Sequence, residues 1–127
     1  MRALIMVGLG SLLAVALLTG PAGANSSRCV NLKVTPGVKP ALKAAYFATH
    51  KAHSSPLPGT TFYGRCGTTL WAAGTFPDPR AGGTTDQPEV FRKLPGHVWH
   101  DRGDGGSICE VPAALRKLWG PNGEPCN

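Results

Sequence analysis

The segment 88–100, PEVFRKLPGHVWH, carries a carboxylate, an arginine and two histidines on one predicted β-hairpin. Small secreted microbial ribonucleases work with these residue types: a glutamate as base, a histidine as acid and an arginine on the phosphate. In this chain Glu89 and His100 would be the base and the acid. Strand residues alternate between faces, so Arg92 would point away from both and Arg65 would have to supply the positive charge. A small secreted hydrolase is therefore one functional alternative.

The sequence allows two registers for this hairpin. A four-residue connection would place Glu89 opposite His100, whereas a three-residue connection over 94–96 would place Glu89 opposite Asp101. Only the first register brings the base and the acid together, so the catalytic interpretation depends on it.

Histidines occur in two pairs, His50-x-x-His53 and His97-x-x-His100. The first pair falls on a predicted helix, where residues three apart share a face and could chelate a metal ion. The second falls on a predicted strand, where this spacing points the two rings to opposite faces. The first pair has Lys51 beside it and no carboxylate near it in sequence, so we expect it to be solvated. The sequence accordingly assigns no metal ligand and no cofactor.

The stretch 100–107, HDRGDGGS, includes an RGD tripeptide and the letters of the serine-protease box GDSGG with the serine displaced. In that box the serine stands in the middle of a tight turn whose amides form an oxyanion hole. Here Gly105 takes the middle position and Ser107 lies outside. Asp101 and Asp104 could approach a calcium ion, but the alternating acid ligands of a calcium loop are absent. We therefore expect a flexible turn leading out of a strand.

Periodicity along the chain predicts a helix, two β-hairpins separated by a long surface loop over 77–88, and a second helix. The first helix starts after Thr35-Pro36, and the second opens at Pro112. The fold class is thus α+β, a four-stranded antiparallel meander with an N-terminal helix and a short C-terminal helix packed on one face. The predicted elements are a helix over 36–52, strands over 60–66, 68–76, 89–93 and 97–101, and a helix over 112–119.

Residues 1–24 have the layout of a cleaved secretory signal: one arginine, an apolar run over 3–18 and small residues before Asn25. The apolar run is shorter than the roughly 20 residues that span a bilayer, and no second long apolar segment follows it. We therefore expect an exported protein without stable membrane insertion. Its mature part, 25–127, would form a single small extracellular domain that depends on covalent cross-links.

All four cysteines lie after residue 24, and an even number in an oxidising compartment favours disulfides over a metal cage. If the four strands run up, down, up and down, the first hairpin turn with Cys66 lies at the top. The chain then leaves the last strand toward Cys109 at the bottom. The first helix must run downward, so Cys29 lies near the top. We expect Cys29 to pair with Cys66 and Cys109 with Cys126, each bond stabilising by about 2 to 4 kcal/mol.

Charge is unevenly distributed along the chain, whose formal net charge is +6. Residues 25–77 contain six lysines and arginines and no aspartate or glutamate. A half-molecule of one sign attracts polyanions such as nucleic acid or phosphate-rich wall polymer, although lysines also line a helix simply to be solvated. Phe62 and Tyr63 would point to opposite faces of a strand, so one of them would lie on the open face. The residues that we expect in a binding surface are Lys39, Lys43, Tyr63, Arg65 and Arg92.

Four stretches, AAYFATH, TTFYGRCGTTLWAAGTF, TTDQPEVFRK and ICEVPAALRKLWG, cover much of the chain after residue 24. Their pattern resembles small, signal-bearing secreted proteins of actinobacteria, a group of unknown function. The resemblance implies secretion and one compact domain, and it assigns no catalytic residue.

None of these groups has both the residues and the spacing of a known catalytic site, so the sequence favours binding over catalysis. We expect an exported binding or interaction module that uses an open face of the sheet and the loop 77–88. Its partner would be an anionic polymer or an extracellular protein. The hydrolase with Glu89 and His100 is one alternative, and an inhibitor of a secreted enzyme that presents Asp86-Gln87-Pro88 is another.

Overall fold

A computed structural model describes residues 28–78, 83–84, 87–120 and 126, and the predicted signal segment 1–24 lies outside them. The described chain is an α+β domain with two disulfides, and none of its helices has the length and apolarity to cross a membrane. The elements in chain order are β1 (Cys29–Asn31), α1 (Val38–His50), β2 (Phe62–Cys66), β3 (Thr69–Gly74), β4 (Pro77–Asp78), β5 (Gly83–Thr84), β6 (Glu89–Lys93), β7 (His100–Gly103), a 3₁₀ helix (Gly105–Glu110) and α2 (Ala113–Trp119).

Five strands form one antiparallel sheet in the order β1-β2-β3-β6-β7. Four of them, β2, β3, β6 and β7, are the predicted meander. The fifth, β1, extends the sheet beyond β2 and has only three residues, too few to show a period of two. The short strands β4 and β5 pair with each other inside the segment 77–88, which the sequence predicts as loop.

The two α-helices cover opposite faces of the sheet, which corrects the expectation that both lie on one face. α1 packs Leu42 in one cluster with Ala72 and Phe91, whereas α2 packs Leu115 in another with Trp71. Trp71 and Ala72 are neighbours on β3, and both are buried because the strand is covered from both sides. A continuous apolar run such as LWAA is the pattern that burial on two faces requires.

α1 begins at Val38, two residues later than predicted. Thr35 accepts a hydrogen bond at its carbonyl from the Val38 N–H at 3.1 Å, and this bond closes a turn before the helix. Pro40 then lies in the first helical turn, where its missing N–H would have no partner. The helix ends at His50 because Lys51 adopts a left-handed backbone with φ 55° and donates its N–H to the carbonyl four residues earlier.

The β6–β7 hairpin has neither of the two registers that the sequence leaves open. His100 lies opposite Arg92 instead of Glu89, and the connection between the strands spans residues 94–99. β7 therefore begins three residues after its predicted start at 97. The cause is a local turn, in which the His97 N–H donates to the carbonyl of residue 94 at 3.1 Å.

The disulfides join Cys29 to Cys66 and Cys109 to Cys126, as the predicted strand directions imply. Cys29 and Cys66 are also register partners in β1 and β2, so the first bond attaches the edge strand to the sheet. The second bond links the 3₁₀ helix to residue 126, beyond α2.

The packing of α2 on the sheet depends on a glycine in β2. Gly64 is buried, and a Cβ at this position would collide with the Leu115 side chain and lie 3.0 Å from the Val30 carbonyl oxygen. We expect Gly64→Ala to lower the free energy of unfolding by about 1–3 kcal/mol, because Leu115 must leave a packed position. Chemical denaturation measures this change.

Gly37→Ala is the matched control, because a Cβ there meets nothing within 4 Å. The double variant Gly64→Ala/Leu115→Ala should lose less stability than the sum of the two single variants, since the new methyl group occupies part of the space that Leu115 leaves. Equal losses at positions 64 and 37 would contradict the close contact.

Candidate functional site

His50 lies in the last turn of α1, above β6. Its ring stacks on that of Tyr46 with centroids 4.1 Å apart, and Tyr46 stacks on Phe76 with centroids 4.2 Å apart. Phe76 in turn contacts Phe91 of β6, with centroids 5.6 Å apart. This column of rings fixes the orientation of the His50 imidazole relative to the sheet.

Two carboxyl groups from the sheet meet the Nε2 atom of His50. Glu89 Oε1, at the start of β6, lies 2.8 Å from it, and Asp101 Oδ2, in β7, lies 3.2 Å from it. One nitrogen or oxygen atom from each of the three side chains lies within 4.8 Å of the others. His50, Glu89 and Asp101 therefore form one polar cluster, the His50 cluster, to which α1, β6 and β7 each contribute one residue.

The sheet register explains why both acids face α1. Phe91 is buried under α1, and Asp101 is its register partner in β7, so the two side chains share that face. Glu89 stands two residues before Phe91 and points the same way. The side chains of Glu89 and Asp101 are only 5% and 1% exposed, whereas that of His50 is 40% exposed.

Hydrogen-bond donors hold Asp101 at both of its oxygens. Oδ1 accepts a hydrogen bond from the Gly103 backbone N–H at 2.8 Å, and Oδ2 accepts one from the Thr49 hydroxyl group. Such donors compensate for the loss of water around a buried carboxylate. The position of Asp101 is therefore fixed by its neighbours on β7 and α1.

Glu89 has a different electrostatic environment. Burial, a hydrogen bond with Asp101, and the negative charges of Asp101 and Asp104 raise the pKa of Glu89 to about 9, with burial the largest cause. At neutral pH Glu89 therefore keeps its proton, which it can donate to the Asp101 carboxylate.

The structure does not bring together the three side chains of the hydrolase alternative. Glu89 faces α1, whereas His100 is the register partner of Arg92 and shares the opposite face with it. The Arg92 guanidinium lies 5.9 Å from the centre of the Trp71 ring, on the side of α2. Arg65 lies on the α1 face, but at the far end of the sheet from Glu89, beside the turn at 67–68.

The sequence-based metal and turn interpretations also change. His50 contacts carboxyl groups that are distant in sequence, and the ring of His53 instead stacks on Phe47 with centroids 4.3 Å apart. The glycine-rich stretch is not a free turn, because it forms the end of β7 and most of the 3₁₀ helix. Within it, the Ser107 hydroxyl donates to the Arg102 carbonyl oxygen at 2.8 Å, a structural contact.

The predicted binding residues do not share one surface. Lys43 is exposed and Lys39 is half-buried on α1, while Arg65 is exposed and Tyr63 is half-buried on the α1 face of β2. Arg92 is half-buried on the other face. The sequence also predicts an open face of the sheet. This expectation is wrong, because helices pack on both sides of the sheet.

Basic side chains are concentrated at one end of the sheet. The register places Arg65 and Lys93 in one row on the α1 face with Leu70 between them, and Arg92 next to Lys93 on the α2 face. Arg28 precedes β1, and its carbonyl accepts a hydrogen bond of 3.0 Å from the β2–β3 turn, so it lies at the same end. This region, called the basic end below, consists of Arg28, Arg65, Arg92 and Lys93.

A shallow depression of about 190 Å³ adjoins the basic end on the α2 face. Arg102, at its edge, donates to both carboxylate oxygens of Glu110, at 2.8 and 3.1 Å, and this ion pair lowers the pKa of Glu110. Arg92, in contrast, has no acid within salt-bridge distance in the part of the chain that the structure describes. The depression is lined by Arg92, Leu94, His97, Val98, His100 and Arg102.

No protein-family model, curated protein or solved structure matches the chain. Two groups of residues, one near each end of β6, have chemistry that a function can use. The His50 cluster can hold a proton or a cation between buried carboxyl groups. The basic end and its depression can hold anions.

The folded protein should lose stability as the pH rises toward 9. The pKa of Glu89 is about 9 in the folded chain, against an ordinary value of 4.5. Between these values the folded chain keeps a proton that the unfolded chain releases, so the free energy of unfolding falls with rising pH, by at most about 1.4 kcal/mol per pH unit. Glu89→Gln has no such proton to release, and its stability profile should be flatter over this range.

Urea unfolding at a series of pH values, with a chelator present, measures the two profiles. Glu110→Gln is the matched control, because the ion pair with Arg102 lowers the pKa of Glu110 from its ordinary value of 4.5. A lowered pKa affects stability only as the pH falls below that ordinary value, so this variant should keep the wild-type slope. The same slope in wild type and Glu89→Gln would contradict a protonated Glu89.

Proposed function

We propose that the protein is an exported binding module that holds a phosphate-rich polymer, such as nucleic acid or wall polymer, at its basic end. The observation that carries this proposal is the gathering of Arg28, Arg65, Arg92 and Lys93 at one end of the sheet. Fixed positive charges close together attract polyanions and release their counterions on binding.

The acids of the described chain form no ion pair with the basic end, although the charge of Arg92 contributes to lowering the pKa of Glu110. Glu89 and Asp101 contact His50, and Glu110 forms an ion pair with Arg102. Within residues 28–78 and 87–120, no ion pair joins an acid to any of the four residues of the basic end. The whole chain has 13 lysines and arginines against 7 aspartates and glutamates. The protein is therefore positively charged overall, and part of this charge is concentrated at the basic end.

The depression beside the basic end adds groups that suit a phosphodiester. Arg92, His97 and His100 offer N–H donors to phosphate oxygens. Leu94 is 40% exposed and Val98 is 76% exposed, and they offer apolar contacts to the sugar or carbon chain between phosphates. The depression can therefore contact both parts of such a polymer.

Export is part of the proposal. The signal pattern of residues 1–24 predicts it, and the resemblance to small secreted actinobacterial proteins points the same way. The two disulfides suit an oxidising compartment. Outside the cell such a protein meets wall polymers and free nucleic acid, the two sources of phosphate-rich polymer named above.

The two alternatives from the sequence receive less support. A hydrolase with Glu89 and His100 lacks a common site, since these side chains face opposite sides of the sheet. The inhibitor alternative depends on the segment Asp86-Gln87-Pro88, in which Asp86 lies outside the described residues. Neither alternative has an observation in its favour that compares with the basic end.

Removal of charge at the basic end should weaken polymer binding. The double variant Arg65→Gln/Lys93→Gln changes two residues of one surface row and leaves the buried core intact. We expect its affinity for single-stranded RNA and for poly(glycerol phosphate) to fall. The slope of log affinity against log salt concentration should also decrease, by about 0.7–0.9 for each lost phosphate contact. Fluorescence anisotropy at several salt concentrations measures both quantities.

Lys33→Gln/Lys117→Gln is the matched control, because it removes the same charge from two exposed positions outside the basic end. Equal weakening by both double variants would mean that binding follows net charge alone, which argues against the basic end as the site. Absence of binding to either polymer at low salt would also count against the proposal. RNA cleavage that is abolished in Glu89→Gln and His100→Ala would favour the hydrolase instead.

A further inference from the structure

We infer that the His50 cluster is a binding site for a divalent transition-metal ion of the zinc type, with His50 Nε2, Glu89 Oε1 and Asp101 Oδ2 as its protein ligands. The inference rests on the placement of these three atoms by α1, β6 and β7. It does not depend on polymer binding, because the cluster lies at the opposite end of β6 from the basic end.

The donor atoms select the class of metal. An imidazole nitrogen suits zinc, copper, iron and nickel, whereas sites for magnesium and calcium consist of oxygen atoms alone. Zinc accepts mixed nitrogen and carboxylate ligands in tetrahedral sites, and three protein ligands leave a fourth position for water. Thiolates do not compete for the metal, because all four cysteines of the chain form disulfides.

The distances suit such a site. In a tetrahedral site with bonds of about 2.0–2.1 Å, neighbouring ligand atoms lie roughly 3.3 Å apart. The His50 Nε2 atom lies 2.8 Å from Glu89 Oε1 and 3.2 Å from Asp101 Oδ2. Both distances are slightly shorter than this spacing, so the side chains must separate a little to admit a metal ion.

Charge and burial also call for a cation at this position. The two carboxyl groups are 5% and 1% exposed, and the only basic group that contacts both, among the described residues, is the half-exposed His50 imidazole. Two carboxylates this close repel each other when no cation lies between them. A divalent cation would neutralise both carboxylates at once.

The surroundings of the cluster orient the ligands and leave access from solvent. Tyr46 stacks on the His50 ring, and the Gly103 N–H binds Asp101 Oδ1, the oxygen that does not contact His50. Contacts of this kind hold ligands in place in metal sites. The 40% exposure of the His50 side chain provides a route for the metal and room for a water ligand.

Titration of the purified, oxidised protein with zinc tests the inference. We expect isothermal titration calorimetry near neutral pH to give one zinc ion per chain, and the thermal unfolding midpoint to rise with zinc concentration. His50→Gln keeps a polar side chain but loses the imidazole, so its zinc affinity should fall at least about ten-fold. Glu89→Gln should weaken binding in the same way. Cobalt in place of zinc should give the visible absorption of a four-coordinate ion in wild type but not in His50→Gln.

The other histidines of the chain supply matched controls. His53→Gln changes a ring three residues from His50, and His97→Gln/His100→Gln changes the pair in the depression. Both variants should keep the wild-type stoichiometry and affinity for zinc. Near-UV circular dichroism identical to wild type shows that a variant is folded when it is titrated.

Three results would overturn the inference. The first is a wild-type protein that takes up no zinc in a saturable one-to-one complex. The second is a His53→Gln variant that loses as much affinity as a folded His50→Gln variant. The third is magnesium binding as tightly as zinc, because the imidazole would then have no role in the choice of metal.

Discussion

The strands β3 and β6 bury side chains on both of their faces, and this burial decides where the rest of the chain can lie. Trp71 and Val90 belong to the cluster under α2, while their neighbours Ala72 and Phe91 belong to the cluster under α1. A sheet with apolar side chains on both sides is stable only when both sides are covered. The chain therefore places one helix on each face, and Gly64 gives α2 the space to approach closely.

Because successive side chains of a strand point to opposite faces of the sheet, some polar side chains are separated and others are brought together. Glu89 and Arg92 lie on one strand but face opposite sides, and the same holds for Asp101 and His100 on the neighbouring strand. The result is a buried acidic pair under α1, while Arg92 and His100 lie together on the α2 face. Because water is largely excluded from the acidic pair but reaches the exposed His100 and the half-buried Arg92, an ionised group costs more free energy under α1 than on the α2 face.

Local patterns predicted the local elements well. Helical spacing around Leu42 predicts α1, and runs rich in aromatic and β-branched residues predict β2, β3 and β6, because each pattern is complete within one element. The three-residue β1 has no such pattern, and no local signal tells which face a helix will cover. The residues of the His50 cluster are far apart in sequence, and the hydrogen bond from Thr49 to Asp101 spans 52 positions. The sequence shows the histidine and the two acids. Whether they lie together depends on the path of α1 across the sheet and on the turn after β6, which sets the register of Asp101.

The two disulfides close separate loops, and neither loop encloses residues 67–108. This middle segment holds β3, β6 and β7, and with them both acids of the His50 cluster. A cross-link stabilises mainly by restricting the unfolded chain, so the middle segment keeps its full chain entropy when it unfolds. Strand pairing with β2 and packing under the two helices hold it in place without a cross-link of its own. Loss of the last turn of α1 would therefore favour a local opening of the β6–β7 hairpin while both ends of the domain stay closed.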